Sequence, residues 1–283
     1  MSRPPAYLGY DQAALDLQYD NRAAVPDAPR YIARYGAQAA AAHRDIPGPR
    51  GLAYGTHAEQ CLDVFLPARH AMPAPVAIFV HGGQWQSLTR REGAFAATTL
   101  TDAGAIYVAL GFRRIPDFDL ATMVDDVGAG LAWVKVNAGA FGGDPTRLCV
   151  LAHSSGAHLA AMALSGGLAV AGAVLASGLY DLAPVARTFR QRYLKLDAAG
   201  IEALSPLRHV AGVRTKLVVA VGGDESDEFK RQSSAYVDAL HAAGKRARLL
   251  TLPGRHHFAA CQAFAEANSP LVEASTHLFG LRR

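Results

Sequence analysis

The chain is poor in cysteine, and this scarcity argues against two kinds of site. Three cysteines, Cys61, Cys149 and Cys261, occur among 283 residues. Their odd number and wide spacing argue against a disulfide framework and against a CxxC metal site. The histidines lack a metal-binding spacing such as HExxH, so the sequence predicts neither a metal ion nor an organic cofactor.

Long apolar runs and clustered charges are also missing. No apolar run reaches the roughly 18 residues that cross a bilayer, and the first residues contain no apolar signal core. We therefore expect a cytoplasmic protein without a membrane partner. Charged residues make up 18% of the chain, and the net charge of +4 is scattered. Nucleic-acid binding would need a basic patch or stripe, so we expect no such partner. The oligomeric state stays open, with a homodimer as one option.

Apolar residues make up 51% of the chain, and they alternate between short strand-like runs and longer helical stretches. The predicted strands are Cys61–Leu66, Val76–Val80, Ala105–Leu110, Leu148–Ala152, Gly172–Ala176, Leu217–Val221 and Ala247–Leu252. The predicted helices between them are Arg91–Asp102, Leu120–Asn137, Ser155–Leu164 and Glu228–Ala243. This order predicts an α/β fold with a doubly wound, mostly parallel sheet in one domain, 1–283. The first two runs have no helix between them and are expected to pair as an antiparallel edge.

Two segments fall outside this alternation. An N-terminal helical segment, 1–50, contains an amphipathic stretch from Tyr31 to His43. An insertion, 178–206, is longer than an ordinary crossover and carries aromatic and basic residues. We interpret the insertion as a small helical lid over the carboxyl edge of the sheet. Its Tyr180 is a candidate for the substrate pocket, although anchoring of the insertion is the alternative role.

A strand-to-helix turn carries the first candidate catalytic residue. The sequence Ala152-His153-Ser154-Ser155-Gly156 matches the nucleophile-elbow pattern G-x-S-x-G, except that alanine replaces the first glycine. Ser154 occupies the nucleophile position. The backbone N–H of Ser155 would begin a helix and face a developing oxyanion. The alternative is a helix cap with a flexible turn.

A glycine-rich turn follows an earlier strand and supports the catalytic interpretation. Val76–Val80 leads directly into His81-Gly82-Gly83-Gln84-Trp85, and hydrolases with such an elbow take their other oxyanion donor from a turn at this place. We therefore assign oxyanion binding to Gly82, Gly83 and Ser155. Gln84 and Trp85 are candidates for the substrate pocket, with core packing as the alternative for Trp85.

The loops after the last two strands offer a base and an acid. A general base is expected after the final strand, where His256 and His257 compete, and His257 directly precedes Phe258. The loop after Leu217–Val221 contains Asp224 and Glu225, either of which would orient the imidazole. The residues alone leave the acid open between these two.

The chain resembles the kynurenine formamidase (arylformamidase) branch of the α/β-hydrolase fold. The resemblance rests on YDNRAAVPD, LDVFLP, HGGQW, AHSSGAHLA, SGLYDL, ESDEFKRQS and PGRHHF, and it extends over most of the chain. It implies Glu225 as the acid, with Asp224 as the alternative, and His257 as the base. Gln84 departs from the aromatic residue that is frequent at this position.

The resemblance implies a serine hydrolase that cleaves small amides or esters through an acyl-enzyme. An arylformamidase-like activity on a substrate of the N-formylkynurenine type is the first expectation. A general carboxylesterase acting on small aryl or short-chain acyl esters is the alternative. An acyltransferase and a hydrolase fold that only binds a ligand are more remote.

Overall fold

The computed structural model describes residues 7–69 and 73–281, so the first six residues of the expected segment 1–50 lie outside the described residues. The strands are β1 (Leu52–Ala53), β2 (Cys61–Phe65), β3 (Ala74–Val80), β4 (Ile106–Leu110), β5 (Gly143–His153), β6 (Gly172–Ala176), β7 (Leu217–Gly222) and β8 (Ala247–Leu252). The α-helices are α1 (Gln12–Tyr19), α2 (Asn21–Ala24), α3 (Ala28–Asp45), α4 (Arg90–Gly93), α5 (Ala97–Asp102), α6 (Leu120–Asn137), α7 (Ser155–Ser165), α8 (Leu182–Val185), α9 (Gln191–Leu194), α10 (Ala198–Leu204), α11 (Asp227–Ala242), α12 (His257–Gln262) and α13 (Pro270–Leu278). In the described part of the chain, none of these helices combines the length and apolar character that a bilayer crossing requires.

Within the described residues, eight strands form one sheet in the order β1-β2-β4-β3-β5-β6-β7-β8. The strands from β3 to β8 are mutually parallel, whereas β1 and β2 pair in antiparallel fashion. The predicted fold class, a mostly parallel sheet between layers of helices, is confirmed. The additional strand β1 has two residues, which is too short to show a period in the sequence.

The predicted pairing of the first two strand-like runs is wrong. β2 lies antiparallel to β4, with Val64 opposite Val108, and β4 separates β2 from β3. The cause is the crossover from β3 through α4 and α5, because such a connection returns the chain beside the strand it left, as a parallel neighbour. The sheet therefore has an antiparallel edge, but there β2 pairs with β4 and not with β3.

Alternate residues of the central strands enter two separate cores. In β3, Val76, Ile78 and Val80 belong to one buried cluster, whereas Ala77 and Phe79 belong to the other. Burial of both faces explains why β3 is an unbroken apolar run in the sequence. Dense packing on both sides holds the carboxyl ends of neighbouring strands in fixed relative positions.

The first three helices form a strap, defined as residues 11–45, that is tied to a distant part of the chain. Its anchor is Tyr19, whose buried hydroxyl donates to Glu228 Oε2 at 2.7 Å and accepts from Gln232 Nε2 at 2.8 Å. Burial and the neighbouring carboxylate raise the pKa of Tyr19, so its hydroxyl remains a donor. These bonds fix the junction between α1 and α2 against the beginning of α11.

The insertion 178–206 contains the short helices α8, α9 and α10, and it supports the strap. The backbone N–H of Phe189 donates to Asp16 Oδ1 at 2.8 Å. Arg190 is buried, and its guanidinium donates to the backbone oxygen of Tyr19. The insertion is therefore attached to the first helices of the chain.

We predict that Tyr19→Phe destabilises the protein by about 1–3 kcal/mol, because two buried polar partners lose a hydrogen bond without access to water. The free energy of unfolding in urea measures the loss. Tyr31→Phe is the matched control, since the Tyr31 hydroxyl makes no hydrogen bond within the described residues and lies in the same strap. Equal stability of the two variants would contradict the anchoring role.

Candidate active site

A serine, a glutamate and a histidine from three different loops meet at the carboxyl edge of the sheet. Ser154 follows β5, Glu225 follows β7 and His257 follows β8. His257 Nε2 lies 3.0 Å from Ser154 Oγ, and His257 Nδ1 lies 2.7 Å from Glu225 Oε2. Because a carboxylate accepts, Nδ1 carries the proton, and Nε2 is left to accept from the serine hydroxyl. All three residues are buried, which shields these bonds from bulk water.

The turn at Ser154 is strained, and a glycine two residues later makes it possible. Ser154 has φ 56° and ψ −126°, in the left-handed half of backbone space that residues other than glycine rarely adopt. A Cβ at Gly156 would lie 2.3 Å from the carbonyl oxygens of both Val80 and His81. Only glycine therefore lets the start of α7 approach the end of β3. Ala152, which replaces the usual first glycine, is accommodated in the core.

The structure places Glu225, and not Asp224, against His257. Asp224 is exposed, whereas Glu225 is 5% exposed. Besides the imidazole, the Glu225 carboxylate accepts at Oε1 from Ser177 Oγ at 2.5 Å and from the backbone N–H of Gly222 at 2.8 Å. Ser177 was not singled out in the sequence, because nothing local to it indicates that β6 ends beside β7.

Two turns present free backbone donors near Ser154. The N–H groups of Gly82, Gly83 and Ser155 donate to no acceptor within the described residues. Gly83 has φ 113°, and a Cβ there would lie 2.0 Å from the carbonyl oxygen of Ser87. The turns are joined, since the backbone N–H of Trp85 donates to Ser155 Oγ at 3.1 Å. The arrangement suits an oxyanion hole.

Three further histidines surround the turn, and all are held neutral. Burial lowers the pKa of His81 and of His158 to about 4. Burial, followed by the nearby His257, lowers the pKa of His153 well below its usual value. His153 Nε2 donates to the backbone oxygen of His257 at 3.1 Å, so it fixes the backbone of that residue. The sequence did not reveal this contact, which joins residues 104 positions apart.

A pocket opens beside Ser154, and one predicted wall residue, Gln84, lines it. The other two candidates, Trp85 and Tyr180, do not line it, and each has a packing role, which was the alternative. Trp85 is buried in the core, where its indole N–H donates to His158 Nδ1 at 3.2 Å. Tyr180 is buried and stacks on Tyr236, with ring centres 4.2 Å apart. The apolar walls are formed by Ile32, Tyr35, Phe79, Leu88, Phe95 and Phe258.

The strap, and not the insertion, covers this pocket. Asn21, Arg22, Ile32 and Tyr35 contribute to its lining, whereas no lining residue comes from 178–206. The prediction that the insertion is the lid of this pocket is therefore wrong. The physical reason is that the insertion packs against the strap and supports it, and does not itself line the pocket beside Ser154.

Known proteins share sequence and fold with this chain. Residues 62–171 match the BD-FAE family model. A kynurenine formamidase from Danio rerio is 32% identical over 239 residues, which cover 80% of this chain and 80% of the relative. The chain belongs to the kynurenine formamidase family. Esterase LipQ from Mycobacterium tuberculosis is 30% identical over 265 residues, which cover 82% of this chain and 60% of the relative.

The fold of this formamidase-family member is shared with hydrolases of known structure. A candidate thioesterase from Silicibacter sp. TM1040 superposes with a TM-score of 0.80 at 25% identity, covering 93% of this chain and 98% of the other. Together with the family, this similarity makes the protein a serine hydrolase of the α/β-hydrolase fold. Within the described residues, no group of three His, Cys, Asp or Glu side chains is placed to hold a metal ion.

The buried histidines predict a loss of stability in mild acid. An unfolded histidine has a pKa near 6.5, whereas His81 and His158 titrate at about 4 in the folded state. The unfolded state therefore binds more protons between these values, and the free energy of unfolding decreases as the pH falls from about 6.5 towards 4. Each such histidine contributes a slope of roughly 1 kcal/mol per pH unit.

Urea denaturation at several pH values between about 7 and 5 measures this slope. His158→Gln should lower the slope by the contribution of one histidine, which is roughly 1 kcal/mol per pH unit. This decrease is expected even if the substitution also changes the free energy of unfolding at neutral pH. A free energy of unfolding that is flat over this range would contradict neutral buried histidines, because the folded and unfolded states would then bind equal numbers of protons.

Proposed function

We propose that the enzyme hydrolyses aryl formamides of the N-formylkynurenine type, with Ser154 as nucleophile, His257 as general base and Glu225 as the orienting acid. The observation that carries the proposal is the continuous hydrogen-bonded series from Ser154 Oγ to Glu225 at the floor of a pocket. Such a series activates a serine that is otherwise a weak nucleophile.

The residues supply each step of an acyl transfer. His257 Nε2 removes the hydroxyl proton as Ser154 Oγ attacks the formyl carbon, and Glu225 stabilises the imidazolium that forms. The N–H groups of Gly83 and Ser155, together with that of Gly82, bind the carbonyl oxygen as it becomes negative. His257 then protonates the leaving aromatic amine, and the C–N bond breaks. Water, activated by His257, releases formate from the acyl-enzyme.

Two observations favour an aryl formamide. The Danio rerio relative is a kynurenine formamidase and matches most of this chain. The pocket walls include the aromatic side chains Tyr35, Phe95 and Phe258, which offer flat apolar surfaces to an aromatic leaving group.

A carboxylesterase that acts on small aryl or short-chain acyl esters is the second candidate. It is favoured by the similarity to esterase LipQ and by the same triad geometry, which cleaves esters as readily as amides. A fold that only binds a ligand is disfavoured, because such a protein would have no need of an aligned base and acid behind Ser154.

Steady-state kinetics on N-formyl-L-kynurenine and p-nitrophenyl acetate test the two candidates. We expect a kcat/KM on the formamide within the usual enzymatic range of about 10⁴–10⁸ M⁻¹s⁻¹. Good ester turnover with weak formamide turnover would instead support the carboxylesterase. Ser154→Ala should lose at least about 10³-fold in kcat on either substrate, since no nucleophile remains. Full activity of this variant would exclude Ser154 as nucleophile.

Ser177 is expected to position the acid, and its removal should lower kcat. Ser177→Ala deletes a hydroxyl that donates to the Glu225 carboxylate, a type of bond worth about 1.5–3 kcal/mol. We predict a fall in kcat of roughly tenfold or more with little change in KM, because the effect reaches the substrate only through His257. Ser165→Ala is the control, since the Ser165 hydroxyl donates to the backbone oxygen of Ala161 within α7 and is not among the hydrogen-bond partners of Glu225. An altered KM at unchanged kcat would contradict the positioning role.

A further inference from the structure

Two polar side chains in the pocket wall take no part in the proposed chemistry. Asn21 is 7% exposed, lines the pocket and makes no side-chain hydrogen bond within the described residues. Arg22 also lines the pocket, and its guanidinium has no carboxylate within 4.0 Å in the described part of the chain. An amide of the pocket wall that has no partner within the described residues is available to a ligand that enters the pocket.

The backbone that carries these side chains is held firmly. Asn21 and Arg22 open α2, and the Asp20 side chain caps this turn by accepting from the N–H of Ala23 at 3.1 Å. Immediately before them, Tyr19 is locked by its hydrogen bonds to α11. The backbone of the pair is therefore held beside the pocket, which lowers the backbone entropy lost when the pair binds a ligand.

Arg22 is the single permanent cation among the described lining residues. His81 and His153 are held neutral by burial. The other charged lining residue, Glu92, is occupied elsewhere, because its Oε2 accepts from the backbone N–H of Thr89 at 2.8 Å and from Thr89 Oγ1 at 2.6 Å. A ligand that enters this pocket thus meets one free guanidinium and one free amide next to each other.

We propose that Asn21 and Arg22 form a carboxylate-binding pair that makes the enzyme selective for aryl amides and esters bearing a carboxylate away from the scissile bond. The guanidinium supplies charge and paired donors, and the amide of Asn21 supplies a further donor from the pocket wall. The proposal rests on the proposed function for the position of the scissile carbonyl at Ser154.

The test compares two matched pairs of substrates. N-Formyl-L-kynurenine and N-formylkynuramine share the formamide and differ in the carboxylate, and 3-acetoxybenzoate and phenyl acetate do the same for an ester. The measured quantity is the selectivity ratio, defined as kcat/KM on the carboxylate member divided by kcat/KM on the neutral member. Arg22→Gln should lower this ratio roughly tenfold, mainly through KM, as expected for one charge-assisted hydrogen bond.

Two further variants and added salt sharpen the result. Asn21→Asp places a negative charge beside Arg22 with almost no change in volume, and it should also lower the ratio. Arg34→Gln removes the same charge from an exposed position of α3 outside this pocket and should leave the ratio as in the wild type. Added salt should reduce the ratio of the wild type but hardly that of Arg22→Gln.

The outcomes separate this inference from the proposed function. A wild-type ratio near one, or an equal ratio in wild type and Arg22→Gln, would overturn the inference. Equal losses on both members of a pair would show that Arg22 is structural, which also overturns it. If neither formamide is hydrolysed but the ester pair shows the Arg22-dependent ratio, the formamidase proposal fails and the carboxylate-binding pair stands.

Discussion

The site depends on one close contact, between the start of α7 and the end of β3. Gly156 lies so near the carbonyl oxygens of Val80 and His81 that any side chain would collide with them. This contact forces the left-handed backbone at Ser154 and brings Ser155 within reach of the glycine-rich turn. The proposed nucleophile and the proposed oxyanion donors are therefore positioned by the same packing of strand against helix, and the strain at Ser154 persists because both cores enclose it.

The features that the sequence predicted are those that depend on local geometry. A parallel sheet puts the ends of neighbouring strands at one edge, so Ser154 after one strand and the pair His256 and His257 after another could be identified from their places. The choice of His257 over His256 came from the family resemblance. The choice between Asp224 and Glu225 needed the family resemblance, because a shift of one residue turns a side chain from the core to the solvent. The structure shows this difference directly, since Glu225 is buried and Asp224 is exposed.

The features that the sequence did not predict depend on contacts between distant segments. Ser177 supports the acid only because β6 and β7 are neighbours, and His153 supports the base across 104 positions. For the same reason, the sequence did not show that the pocket is lined by the strap and not by the insertion. Aromatic residues in an insertion suggest a lid, but Tyr180 is occupied by stacking on Tyr236, and no short pattern shows that residues 21–35 cover the pocket.

The anchoring of the strap has a consequence for the order of events during synthesis. The hydrogen bond from Tyr19 to Glu228 joins residues that are 209 positions apart. The wall that carries Asn21 and Arg22 therefore leaves the ribosome early but cannot dock until α11 has followed, and closing so long a loop is slow. Until then the first helices are free for other partners, including chaperones and proteases. The pocket is therefore completed only after α11 has docked, although the wall that carries Asn21 and Arg22 is made long before that helix.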